Sequence, residues 1–86
     1  MNKSGKLPVI IQDMSKTKYV LHLFSGDCTL FDVKRFIFSK ISAKEVKNLN
    51  LFINKNSIKR FDDCMYKIYA KFKDHDNFLY IFYNTN

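Results

Sequence analysis

Thr29-Leu30-Phe31-Asp32-Val33-Lys34-Arg35-Phe36-Ile37 is the stretch on which the fold turns. Thr29 and Asp32 have the spacing of a capping box. The hydroxyl can accept from a first-turn amide while the carboxylate reaches back to the cap. Leu30, Val33, Ile37 and Ile41 follow at helical intervals and form one apolar stripe. Lys40 sits where a cation meets the carbonyl end of the helix. A helix is predicted from Thr29 to about Ile41–Ala43, and it is the only one of useful length.

Outward from this helix the chain reads as strands. Leu7-Pro8-Val9-Ile10-Ile11-Gln12 is a strand that tolerates Pro8 at its start. Ser15-Lys16-Thr17-Lys18 is a polar turn. Tyr19-Val20-Leu21-His22-Leu23-Phe24 is a second strand, rich in β-branched and aromatic types, and Ser25-Gly26-Asp27 ends it. Downstream, Leu49 to Asn54 is a third strand. Lys55-Asn56 turns into a short segment at Ser57-Ile58. Residues 59–77 form a longer connection with one helical turn near Cys64–Tyr69. Phe78 to Tyr83 is the last strand. Residues 1–6 read as a flexible arm and 7–86 as a single domain. The order strand, strand, helix, strand, short strand, strand is an α+β arrangement, a mixed sheet packed on one helix.

Eighty-six residues leave room for one domain. With 47% hydrophobic and 16% aromatic residues, the chain is not a disordered tail. The formal charge is +7, but the lysines are scattered and form no dense cluster. Lys and Asn are frequent throughout, as in proteins from AT-rich genomes. Cys28 and Cys64 cannot build a disulfide framework. Val9-Ile10-Ile11 is too short for a signal or a membrane span. A reducing compartment, cytoplasm or nucleus, is expected.

The strands argue for function. A sheet with one covered face should alternate apolar and polar residues, yet these strands are apolar in both phases. If Val9, Ile11, Tyr19, Leu21, Leu23, Leu51, Ile53, Leu79, Ile81 and Tyr83 face the helix, then Ile10, Val20, Phe24, Phe52, Tyr80 and Phe82 face away. Left bare, those six would expose roughly 400–600 Å², at or above the largest patch usual on a monomer. Either the 59–77 connection covers part of this face, or some of these residues lie at strand ends, or the face binds a protein.

The helix stretch resembles the start of the ubiquitin helix, Thr-Ile-Glu-Asn-Val-Lys-Ala-Lys-Ile. Leu51-Phe52-Ile53-Asn54-Lys55-Asn56-Ser57-Ile58 is similar to ubiquitin's Leu-Ile-Phe-Ala-Gly-Lys-Gln-Leu. The resemblance to the ubiquitin-like, β-grasp family spans nearly the whole chain. It implies parallel first and last strands, and it places the family's recognition patch on Met14, Phe52, Tyr80 and Phe82. The family's conjugating members end in Gly-Gly. This chain ends Tyr83-Asn84-Thr85-Asn86, so no conjugation is expected. Among non-conjugating members it is similar to the elongin B group. Thr29–Arg35, the Lys16-Thr17 turn and Arg60-Phe61-Asp62-Asp63-Cys64 carry that likeness. It implies an adaptor pairing with an elongin C-like partner in a cullin-type ubiquitin ligase. A Hub1-like splicing-associated protein is the alternative. The expected partner-binding residues are Ile10, Met14, Val20, Phe24, Phe52, Tyr80 and Phe82.

No catalytic, cofactor or metal site is expected. Cys28 lies beside a helix start, but His22 and His75 have no motif around them, and a Cys–His enzyme needs a base within reach. No paired C-x-x-C or H-x₃-H spacing occurs. Asp62-Asp63 and Asp74-His75-Asp76 read as solvated turns. Lys34 falls near the apolar arc, either paired with Asp62 or Asp63 or with its stem buried and its head in water. A nucleic-acid module, stacking bases on Tyr80, Phe82 and Phe52, is a lesser rival, since no RNP-like Gly-Phe motif appears.

Overall fold

Thr29 caps helix α1, Leu30–Lys40, in the computed structural model, which describes residues 5–41 and 48–85. The carboxylate arm of the box is formed: the Thr29 amide donates to Asp32 Oδ2 at 2.9 Å. Ile41 ends the helix in extended conformation. Residues 42–43, the outer limit of the predicted helix, and residues 1–4 of the predicted arm lie outside the described residues. Lys6, assigned to the arm from sequence, already belongs to a strand.

The strands are β1 Lys6–Asp13, β2 Tyr19–Ser25, β3 Leu49–Ile53, β4 Asn56–Ser57 and β5 Leu79–Thr85. They form one mixed sheet in the order β2-β1-β5-β3-β4. β1 and β5 run parallel in the middle, as the ubiquitin-like reading requires, and the other pairs are antiparallel. The β1–β2 turn is set by Asp13, whose carboxylate accepts from the Ser15 amide and hydroxyl. The two left-handed residues Asn54 and Lys55 make the tight β3–β4 turn.

Val9, Ile11, Leu51, Ile53, Leu79 and Ile81 bury their side chains against Leu30, Val33 and Ile37 of α1. A second helix, α2 Met65–Phe72, replaces the single turn expected in the long connection. Its Met65 and Ile68 join the same core beside Leu30 and Ile53. Two backbone bonds hold its start to the β2–α1 loop, Met65 N to Cys28 O and Tyr66 N to Gly26 O. The loop passes close to α2 at Gly26, where a Cβ would touch the Tyr66 side chain at 3.4 Å. The connection therefore plugs the end of the helix-side core, and only its Lys71–Asp76 end reaches the border of the opposite face.

One strand has the opposite phase from that expected. Val9, fully buried, pairs with His22, and Leu7 pairs with Phe24. Paired residues share a face, so Val20, His22 and Phe24 look toward α1. Phe24 is 5% exposed and meets the Phe36 ring edge-on at 5.5 Å. The His22 ring lies 4.1 Å from Phe36. Tyr19, Leu21 and Leu23 point away from the helix, at 65%, 52% and 51% exposure. Val20 and Phe24 are thus not on the open face.

Candidate functional site

The open face is built from the outward phase of four strands. β1 contributes Pro8, Ile10 and Gln12, and β5 contributes Tyr80 and Phe82. β3 contributes Phe52, and β2 contributes Tyr19, Leu21 and Leu23. The registers line these up in two rows, Leu21–Ile10–Tyr80 and Tyr19–Gln12–Phe82–Phe52. Of the residues expected on this face, Ile10, Phe52, Tyr80 and Phe82 are there, half-buried. Met14, just past β1 and exposed, stands beside them, with its amide bonded to Tyr83 O at 2.8 Å.

A groove of about 760 Å³ runs along β5 on this face. Its floor is Phe52, Tyr80 and Phe82. Met14 closes one end, and Asn54, Lys55 and the Lys71–Asp74 segment close the other. The rim is basic: Lys55, Lys71 and Lys73 surround an aromatic floor. Sequence reasoning missed these lysines because the turn and the end of α2 approach the groove only in the fold. It missed Tyr19, Leu21 and Leu23 because β2 is apolar in both phases. The Asp13-x-Ser15 turn signal, which fixes the hairpin pairing and so the phase, could have found them.

Tyr80 is oriented by its hydroxyl, which donates to Asp76 Oδ2. Phe78 N donates to the same carboxyl at 3.0 Å. These bonds hold Asp76 below the usual carboxylate range, and the same contact raises the Tyr80 phenol. Burial raises the Tyr83 phenol on the helix side. Lys34 is paired with neither Asp62 nor Asp63; its Nζ sits 4.8 Å over the Phe61 ring, while Asp62 pairs with Arg60. Cys28 and Cys64 are free thiols. Among the described residues no cluster of three or more His, Cys, Asp and Glu could hold a metal ion. No described helix is long and apolar enough to cross a membrane.

A five-stranded mixed sheet with parallel central strands and α1 across one face defines a ubiquitin-like protein. The family model for the Atg8 autophagy protein, ubiquitin-like, matches residues 2–86, and the chain belongs to that family. The crystal structure of Trypanosoma brucei ATG8 superimposes with a TM-score of 0.81 at 22% identity, over 95% of this chain and 74% of that one. No curated protein sequence matches the chain. The likeness to the elongin B group is overturned by the family match. With it fall the cullin-type ligase role, the elongin C-like partner and the Hub1-like alternative. The motifs that carried that likeness are short, and much of the helix motif is common to ubiquitin-like helices.

Proposed function

We propose that this chain is a non-catalytic Atg8-family module that serves autophagy by holding a protein partner on its open sheet face. Phe52 and Phe82 form the centre, and Ile10, Met14 and Tyr80 surround them. The observation that carries this reading is the half-exposed aromatic groove on a sheet whose other face is already filled by helices. Aromatic side chains at the centre of a desolvated patch, with a polar rim, are the usual anatomy of a binding hot spot. Lys55, Lys71 and Lys73 favour a partner whose apolar anchor is flanked by acidic residues. The free cysteines suit cytoplasm or nucleus, where thiols stay reduced.

The test is capture of partners by the tagged chain from its source cells, with the same capture by Phe52→Ala and Phe82→Ala. Each variant should weaken partner binding roughly 30-fold or more while the isolated domain's Tm changes little. Partners lost from the variants should belong to the autophagy machinery. Retention of every partner by both variants would place docking elsewhere on the chain.

A further inference from the structure

Lysines that are scattered along the sequence are gathered by the fold. α2 buries Met65 and Ile68, so Lys67 and Lys71, one turn apart, stand together on its exposed side. The β3–β4 turn brings Lys55 to Lys71 and Lys73 beside Phe72. A shallow hollow of about 160 Å³ lies between α2 and the segment after β4. Its floor includes Ile53, Ile68 and Phe72, and Lys59 and Arg60 stand at its edge. Lys55, Lys59, Arg60, Lys67, Lys71 and Lys73 thus share one exposed face. Of the carboxylates that border it, Asp62 is paired with Arg60, and Asp76 accepts from Tyr80 and Phe78. Among the described residues none of the five lysines has an ion-pair partner. Two of them lie over rings instead, Lys71 Nζ at 5.3 Å from Phe72 and Lys73 Nζ at 5.6 Å from Tyr69.

We infer that this face of α2 and the β3–β4 hairpin docks on the surface of an anionic lipid bilayer. Five exposed lysines without internal counter-charges attract a polyanion. The kind of cation favours a lipid surface. Lysine is a point charge on a flexible stem, suited to a laterally mobile field of headgroups. The planar fork that grips a phosphodiester or a carboxylate in fixed register is present only once, in Arg60, and Asp62 occupies it. Away from the sheet-face groove, no open ring is offered to a nucleic-acid base, since Phe72 is half-buried and Lys71 lies over it. Near such a bilayer each lysine strengthens partitioning about five-fold. The inference does not rest on the protein-docking groove, because Lys59 and Lys67 lie off its rim.

The experiment is co-sedimentation of the full chain with two kinds of vesicle at about 0.1 M salt. One is phosphatidylcholine alone, and the other contains about one-third phosphatidylserine. The chain should bind only the anionic vesicles. Lys59→Gln with Lys67→Gln should weaken that binding about 30-fold, and Lys59→Arg with Lys67→Arg should leave it unchanged. Lys16→Gln with Lys18→Gln removes the same net charge at exposed positions on the β1–β2 turn and its border. That pair should weaken binding by less than about three-fold, since those lysines do not face the bilayer. Equal losses in the two glutamine pairs would show that net charge alone attracts the chain, and would overturn the inference. So would equal binding to both kinds of vesicle. A single-stranded oligonucleotide held more tightly than the anionic vesicles, and lost with Lys59 and Lys67, would give this face to nucleic acid instead. Phe52→Ala and Phe82→Ala should leave vesicle binding unchanged, so loss of partner docking and loss of lipid docking read out separately.

Discussion

Ile37 and Tyr80 show what single side chains do on the two faces. Ile37 is 2% exposed between α1 and the sheet. Ile37→Ala should cost about 2–5 kcal/mol, the usual range for truncating a buried aliphatic chain, measured by urea denaturation. Tyr80 is held from outside the core, through Asp76. The Asp76 carboxyl is depressed by its bonds to Tyr80 and Phe78. Its contribution is therefore present above the unfolded value of about 3.9 and is lost as pH falls through the lower folded value. The raised Tyr80 phenol works in the other direction. Its contribution is present below about 10 and is lost as pH rises through the folded value. Tm of the wild type should exceed that of Asp76→Asn at neutral pH, and the gap should close below about pH 4. A gap that persists in acid would show that the carboxylate charge has no part in holding Tyr80.

Each element was legible to the extent that its residues admit one reading. α1 could be drawn from Thr29, Asp32 and the Leu30–Val33–Ile37 stripe, because a cap and a 3.6-residue period occur together. The parallel pairing of the first and last strands followed from the resemblance those residues carry. β2 could not be phased, since Tyr19 to Phe24 is apolar at every position except His22. A period of two is invisible when both phases are apolar. The aromatic packing of Phe24 and His22 on Phe36 decides the matter in the fold. α2 was half-seen: Met65, Ile68, Tyr69 and Phe72 have helical spacing, but eight residues of it are hard to tell from a looped turn. The groove was the least legible part, because Lys55, Lys71 and Lys73 come from separate segments. The phase of β2 makes a sharp prediction. Phe24→Ala should cost about 3–5 kcal/mol of stability, whereas Leu21→Ala and Leu23→Ala should change it by about 0.5 kcal/mol or less. Equal losses at Phe24 and Leu21 in thermal or urea unfolding would refute the assigned face.

At the scale of the whole molecule, the charge of +7 and the aromatic face invite two readings that predict different behaviour in salt. A protein that stacks single-stranded bases on Phe52, Tyr80 and Phe82 would take its affinity from phosphate neutralisation. Each phosphate contact releases a counterion, and affinity then falls steeply with ionic strength. A protein partner anchored by apolar side chains in the same groove takes its affinity from buried area and packing, which salt hardly weakens. Lys55, Lys71 and Lys73 stand at the rim, where charges act mainly on the association rate. Partner affinity should therefore drop by less than about ten-fold between about 0.05 and 0.2 M salt, with most of the loss in the on-rate. A protein using six or more phosphate contacts would lose about a thousand-fold or more over the same range. Isothermal titration with a captured partner, and with single-stranded oligonucleotide, at both salt concentrations separates the two. Tight oligonucleotide binding with the steep slope, lost on Phe82→Ala, would make the face a nucleic-acid platform and end the protein-docking reading.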